Sequence, residues 1–207
     1  MKNFTEPLLE NNVFHIYTRG IDKKPIFLSD KHYRSFLWKY QQEVSPYVDT
    51  YAFCLLGNHF HLLIRIKTYH EIDKLAELKL LPKPKGNVGL FISRIIGDLL
   101  NSHAQMFNRA TDRTGGLFES PFRRKVVDSL FYLTHLIKYI HLNPIKHEIY
   151  GNFEFYPYSS YREYIKFKPR IINKMEGLRF FGNLEVFEKF HESDTSSEEK
   201  IIKLLIE

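Results

Sequence analysis

Two apolar segments in the first third of the chain limit the folds that it can adopt. YAFCLL (51–56) and HFHLLIRI (59–66) have the length of β-strands, and only Gly57-Asn58 separates them. Two such runs around a two-residue, glycine-containing turn are typical of a β-hairpin. The sequence therefore predicts two adjacent antiparallel strands, onto which the other segments must pack.

The segments around this hairpin alternate between strand-like and helix-like patterns. Further strands are predicted at 13–20 and 122–128, and helices at 27–44, 70–80, 88–110 and 129–143. Pro144 is expected to end the last helix, because proline lacks the backbone N–H that a helix requires. The order β-α-β-β-α-β, followed by another helix, predicts an α+β fold with a ferredoxin-like (split βαβ) antiparallel sheet.

The charge of the chain divides unevenly along its length. The whole chain has 30 Lys+Arg and 24 Asp+Glu, a net charge of +6, whereas residues 171–207 contain more acidic than basic residues. We expect a main domain at 1–165 and an acidic helical C-terminal extension at 166–207, with helices in LEVFEKFHE and SEEKIIKLLIE. A basic, aromatic-rich main domain favours a nucleic-acid partner, although many soluble proteins are basic without one.

Several classes of protein are disfavoured by what the sequence lacks. A single cysteine, Cys54, excludes an internal disulfide and a Cys-rich zinc site. The opening MKNFTEPLLE shows no secretory pattern, and charges interrupt every apolar run before the roughly 18 residues that a membrane span needs. We therefore expect a soluble, cytoplasmic protein without a membrane partner.

The predicted strand 59–66 carries two histidines one residue apart. Because side chains alternate along a strand, His59 and His61 share one face while Phe60 and Leu62 lie on the other. The two imidazoles would lie about 7 Å apart and could converge on one ion. Two ordinary packing histidines would give the same pattern, and the nearby sequence supplies no third ligand.

The predicted helix 129–143 has a face rich in polar and aromatic side chains. At about 100° per residue, Tyr132, His135, Tyr139 and Asn143 fall on one side, and His141 falls on the opposite side. An exposed polar face of a structural helix would look much the same. A functional interpretation therefore depends on whether this face meets the two histidines.

If the two elements meet, their residues indicate phosphodiester chemistry. A tyrosine hydroxyl has a pKa near 10, so its attack on a phosphate needs a cation and a route for the proton. His59 and His61, with the amide oxygen of Asn143, could hold Mg²⁺ or Mn²⁺ beside the oxygen of Tyr139. Imidazole suits softer metals better, so the ligand set leaves the identity of the ion open.

Four segments, in order, resemble one known family. They are CLLGNHFHLLI, GGLFESPFRRKVVD, YLTHLIKYIHLNPIKH and YPYSSYREY, and VFHIYTRGIDKKPIF before them is also similar. The chain resembles the single-tyrosine HUH transposases of small insertion sequences, most closely the REP-associated tyrosine transposases. The resemblance spans roughly residues 10–165, and His59-Phe60-His61 matches the HUH motif.

The resemblance implies a metal-dependent enzyme that cleaves and rejoins single-stranded or hairpin-flanked DNA, acting as a monomer or a homodimer. Tyr139, which precedes the LNP element, would attack the scissile phosphate, leaving a 5′-phosphotyrosine and a free 3′-OH. His59 and His61 carry over as ligands of the divalent metal. Asn143 carries over as the polar residue four positions after the nucleophile, and Tyr132 is a less favoured second nucleophile.

The residues themselves add further candidates. His135 lies one helical turn before Tyr139 and could relay its proton. The candidates for DNA contact are Arg19, Arg123, Arg124 and Lys125. Two alternatives stay open: a catalytically silent DNA-binding regulator of the same fold, and a replication-initiator or relaxase nuclease.

Overall fold

The central hairpin forms where the sequence predicts it, and two further strands pair with it. The structure, a computed structural model, describes residues 6–79 and 81–194. The strands are β1 (Val13–Arg19), β2 (Val48–Leu55), β3 (His59–Ile66) and β4 (Arg123–Val127). Within the described residues they form one antiparallel sheet in the order β2-β3-β1-β4, so the predicted split βαβ sheet and α+β class are confirmed.

Helices cover both faces and one edge of the sheet. They are α1 (Asp30–Glu43), α2 (Tyr69–Lys79), α3 (Val88–Thr111), α4 (Leu130–Lys146), α5 (Tyr161–Ile165), α6 (Lys174–Arg179) and α7 (Leu184–Glu192). Local capping marks the starts of α3, α4, α6 and α7, where the side chains of Asn87, Ser129, Asn173 and Asn183 accept backbone N–H bonds. None of the described helices is long and apolar enough to cross a membrane.

The prediction that Pro144 ends the fourth long helix is wrong. α4 continues to Lys146, and the N–H of His147 still bonds to the carbonyl of Asn143 at 3.0 Å. A proline in the last turn removes one N–H but leaves the following residues free to keep helical geometry. The extra turn brings Lys146 and His147 beside Tyr139, which the sequence did not predict.

The two faces of β3 meet different helices. Phe60 is fully buried, and its ring lies 5.3 Å from that of Phe36 on α1. On the opposite face, His61 lies under α4, with its ring 6.0 Å from that of Tyr139. The alternation predicted from the sequence thus places the apolar side chain in the core and the imidazole beneath the helix that carries the tyrosine.

The edge strand β2 is covered by chain that follows α4. Ile172 forms a parallel bridge to Thr50 of β2. Tyr164 is fully buried and donates a 2.6 Å hydrogen bond to the carbonyl of Tyr51. Residues on both sides of position 165 therefore pack against the same strand.

The predicted C-terminal helix LEVFEKFHE is α7, whereas SEEKIIKLLIE lies outside the described residues. Buried polar groups attach α7 to α4. His191 Nδ1 donates to the carbonyl of Phe187, so its Nε2 accepts a 2.9 Å bond from His141 Nδ1. The ammonium of Lys138, which is 2% exposed, donates to main-chain carbonyls at the end of α7. These contacts fix α7 against the side of α4 that lies away from the sheet histidines.

Candidate active site

An open cleft of about 430 Å³ lies beneath α4, where β1 ends and the antiparallel β3 begins. Among the residues that line it are Arg19, His59, His61, Arg123, Tyr139 and His147. The fold thus brings together the predicted histidine pair, the predicted nucleophile and two of the predicted DNA-contact residues. Positions 59 and 139 are 80 residues apart in the chain, so only the tertiary fold could join them.

Histidine rings and the Tyr139 ring meet edge-on in the cleft, whereas Tyr17 stacks on His61. The ring centroids of His59 and His61 are 5.2 Å apart with an interplanar angle of 90°. Tyr139 meets His61 at 6.0 Å and 87°, and His147 meets His59 at 4.7 Å. The Lys146 ammonium lies 4.1 Å from the centroid of the Tyr139 ring. The phenol ring therefore has the His61 imidazole edge-on to it and a cation over its face.

Hydrogen bonds to Nδ1 orient both histidines. His59 Nδ1 lies 2.6 Å from Oδ1 of Asn58, and an amide oxygen only accepts, so Nδ1 carries the proton and Nε2 keeps a lone pair. His61 Nδ1 pairs at 2.9 Å with Nε2 of the buried His15. A partner on one ring nitrogen is what commonly orients a metal-ligating histidine.

Burial keeps these imidazoles neutral at pH 7. Burial, with smaller contributions from the nearby His147 and Arg19, lowers the pKa of His59 to about 4. Burial lowers the pKa of His61 well below its ordinary value, with His15 and His59 adding to the effect. Neutral imidazole is the form that binds a cation.

The third predicted ligand, Asn143, is not among the residues that line the cleft. Its side chain is completely buried, and its Nδ2 donates a 2.8 Å bond to the carbonyl of Tyr139. Its Oδ1 is buried with no hydrogen-bond partner, which is unusual for an amide and fits an oxygen that binds a missing group. In the described part of the chain no three His, Cys, Asp or Glu side chains are arranged to hold a metal ion.

Two other predicted residues of α4 lie away from the cleft. His135 Nδ1 bonds to the carbonyl of Phe131 at 2.8 Å, and its ring faces Phe190 of α7. The structure therefore does not bring His135 to the hydroxyl of Tyr139. Tyr132 is buried, and its hydroxyl has no hydrogen-bond partner.

A carboxylate joins the two predicted arginines that line the cleft. Oε1 of Glu119 lies 2.5 Å from Nε of Arg19, and its Oε2 lies 3.7 Å from an Nη of Arg123. Both arginines are well exposed, so a phosphate could reach them from solvent. The carboxylate lies between two guanidinium groups at the rim of the cleft, where a phosphate would have to compete with it for them.

The two other predicted DNA-contact residues on β4 do not line the cleft, although Lys125 lies on the same face of the sheet as Arg123. Arg124 donates a 2.9 Å bond from Nη1 to Oγ of Ser93 on α3. Lys125 pairs with His15 in the sheet register, on the side of the sheet that faces α4. A strand alternates its side chains, so these neighbouring cations cannot all serve one surface.

Sequence reasoning missed His15, Glu119 and His147. His15 and Tyr17 alternate along β1 as His59 and His61 do along β3, so a search for polar pairs at period two could have found His15. His147 was missed because the helix was ended at Pro144. Glu119 lies in an irregular loop, where no periodicity marks it.

Comparison with known proteins adds one finding. No protein-family model and no curated protein matches the chain. A solved structure of a REP-associated tyrosine transposase bound to a REP hairpin is similar at a TM-score of 0.52 and 12% sequence identity, covering 80% of this chain and 86% of the other. At this identity the likeness shows the fold, and the chain shares that fold with the tyrosine transposase that its motifs resemble.

Proposed function

We propose that this protein cleaves and rejoins single-stranded or hairpin-flanked DNA, with Tyr139 as the nucleophile. The observation that carries the proposal is the meeting of Tyr139 and His61 at 6.0 Å in a cleft that Arg19 and Arg123 also line. Two cations at the rim suit a polyphosphate substrate. The hairpin bound to the similar transposase supports DNA as the substrate class.

The reaction exchanges one phosphoester bond for another. The phenol oxygen of Tyr139 bonds to the scissile phosphorus while the bond from phosphorus to the 3′-oxygen breaks. The phenol proton leaves as the new bond forms, and the departing 3′-oxygen gains a proton to become a hydroxyl. The 5′-phosphotyrosine keeps the energy of the original ester, so a different 3′-OH can reverse the step and join new strands without a nucleotide cofactor.

His59 and His61 would hold a divalent cation, Mg²⁺ or Mn²⁺, through their Nε2 atoms, and Asn143 would add its unpartnered Oδ1. Such a cation, when bound, polarises the phosphate and offsets the charge that develops on it. The pairing of His61 with His15 keeps the ring pointed into the cleft.

The remaining cleft residues orient and stabilise the reacting groups. Arg19 and Arg123 would bind phosphates beside the scissile one and set the register of the strand. The Lys146 ammonium over the Tyr139 ring fixes the ring plane and stabilises negative charge as the phenol loses its proton. His135 has no role in this scheme, because its ring packs against α7.

A denaturing gel tests the proposal. The protein is incubated with Mn²⁺ or Mg²⁺ and labelled single-stranded hairpin oligonucleotides from the flanks of its own locus. Wild type should form a covalent protein–DNA adduct, and Tyr139→Phe should form none. Tyr132→Phe is the matched control, since it removes a hydroxyl from the same helix and should leave the adduct intact.

Two results would contradict the proposal. An adduct that persists in Tyr139→Phe would show that the nucleophile is another residue. DNA binding by wild type with no adduct on any of these oligonucleotides would favour the catalytically silent regulator. Calorimetric titration with Mn²⁺ tests the metal site separately, because His59→Ala with His61→Ala should abolish the binding heat.

A further inference from the structure

A second groove, of about 440 Å³, lies on another part of the surface, between α1 and the chain around α5. Trp38, the one tryptophan of the chain, lines one wall and is 60% exposed. Tyr158 lines the groove next to it, with its ring stacked 3.8 Å from that of Tyr33. The groove thus has exposed aromatic surface, on Trp38, that does not pack in the hydrophobic core.

The charges around this groove are unbalanced. Arg162, Lys166 and Arg170 line the groove and are exposed, and no ion pair of theirs is found among the described residues. Glu163 also lines the groove and offsets one of these charges, but it is buried and its Oε2 accepts the backbone N–H groups of residues 170–172, so the three cations still outnumber it. Asp30 on the opposite wall is already paired with an arginine of α1.

The groove is also held in shape before anything binds. The three bonds to Glu163 fix the loop 166–172 against α5. Gln41 of α1 donates a 3.2 Å bond to the carbonyl of Arg170, which joins the two walls. Phe167, between two lysines of this loop, is 93% exposed. A fixed loop therefore presents an aromatic ring between cations.

We infer that this groove is a second binding site for single-stranded DNA, separate from the cleft that holds Tyr139. Cations along a groove bind phosphates, and exposed aromatic rings stack on unpaired bases, which a duplex does not offer. Trp38 is the stacking residue in the groove, Phe167 beside Lys166 is a second aromatic ring outside its lining, and Arg162, Lys166 and Arg170 are the phosphate contacts. The inference rests on the proposed function in taking DNA as the ligand, but it needs no chemistry at Tyr139.

Trp38 provides a direct readout of this site. A fluorescein-labelled oligodeoxythymidylate of about 20 nucleotides is the probe, and the Tyr139→Phe protein is used so that no covalent capture occurs. Binding should quench the Trp38 emission with the same midpoint as the change in probe anisotropy. Trp38→Ala should weaken binding about tenfold, which is the range for loss of one base stack.

A charge variant tests the phosphate contacts. Arg162→Gln, Lys166→Gln and Arg170→Gln together should lower the slope of log K against log salt by about 2, because each phosphate contact to a single strand contributes about 0.7. The matched control removes three exposed cations on other helices, as Lys74→Gln, Arg94→Gln and Lys189→Gln. This control should leave the Trp38 quenching and most of the slope unchanged.

Each outcome separates the groove from the cleft. The inference fails if the oligonucleotide binds without changing Trp38 emission, or if the groove and control variants lose affinity equally. It also fails if polyglutamate displaces the oligonucleotide as well as unlabelled DNA does, since the surface would then bind acidic chains in general. If DNA quenches Trp38 emission but wild type forms no covalent adduct, the groove is confirmed as a DNA-binding site and the proposed chemistry at Tyr139 is refuted.

Discussion

Replacing Glu119 by glutamine should make the protein bind DNA more tightly. Glu119 pairs with Arg19 at 2.5 Å and approaches Arg123, and both arginines line the cleft with Tyr139. A bound phosphate must compete with this carboxylate for the two guanidinium groups. Glutamine keeps the shape of the side chain and the backbone carbonyl that accepts from Thr18, but it removes the charge.

The size of the effect follows from the exposure of the pair. The side chains of Arg19 and Glu119 are 44% and 31% exposed, and such a pair contributes only about 0.2–1 kcal/mol. Repulsion between the carboxylate and a phosphate roughly 5 Å away in a water-filled cleft adds about 1 kcal/mol. Removing both terms gives about 1.5 kcal/mol, which corresponds to about tenfold tighter binding.

Fluorescence anisotropy with a labelled hairpin oligonucleotide would measure this change, with Tyr139→Phe as the background to prevent cleavage. Glu185→Gln is the matched control, because Glu185 forms a 2.7 Å ion pair with Lys189 on the exposed side of α7. Its affinity should match that of the background protein. Equal or weaker binding by Glu119→Gln would refute the reasoning and show that the carboxylate organises the arginines instead of competing for them.

Three further predictions concern stability. Burial lowers the pKa of His103 from 6.5 to about 4, so below about pH 6.5 the unfolded chain binds more protons than the folded one and the free energy of unfolding falls. Urea unfolding would measure this fall. In His103→Gln the loss of unfolding free energy between about pH 7 and pH 5 should be smaller by about 2 kcal/mol. Gly89→Ala should lower the melting temperature, since its Cβ would overlap the carbonyl oxygen of Leu8, whereas Gly97→Ala on the same helix meets nothing within 4 Å and should raise it. Tyr132→Phe should leave the unfolding free energy unchanged or raise it by about 1 kcal/mol, because its buried hydroxyl has no partner. A change in stability of the opposite sign in any of these variants would contradict the structural reason given for it.

The sheet could be predicted from the sequence because its signals are local. Alternation in 59–66 and turn residues at Gly57-Asn58 identify the hairpin, and helical spacing identifies the long helices that cover it. The meeting of His61 with Tyr139 could be expected only because the motifs resemble a family in which these elements meet. Neither pattern alone distinguishes a site from ordinary packing.

Other parts of the cleft depend on tertiary contacts that no periodicity marks. His147 needed the helix to pass Pro144, which local propensity argues against. The position of His15 in the site depends on the register that pairs β1 with β3. The position of Glu119 depends on a loop that folds back onto Arg19. The burial of Asn143 could not be predicted either, because the helical spacing gives the direction in which its side chain points but not how deeply that side of the helix is buried.

The attachment of α7 to α4 has a consequence for the candidate site. Lys138 and His141 flank Tyr139 in the chain, and both bond to residues of the segment 190–193, while His141 also bonds to Ser160. Because Lys138 is only 2% exposed, its ammonium depends on the carbonyl oxygens of Phe190 and Ser193 to accept its hydrogen bonds. A substitution in α7 that displaced these carbonyls would leave a buried ammonium without partners on the helix that carries Tyr139, so α7 supports the cleft although its residues do not line it.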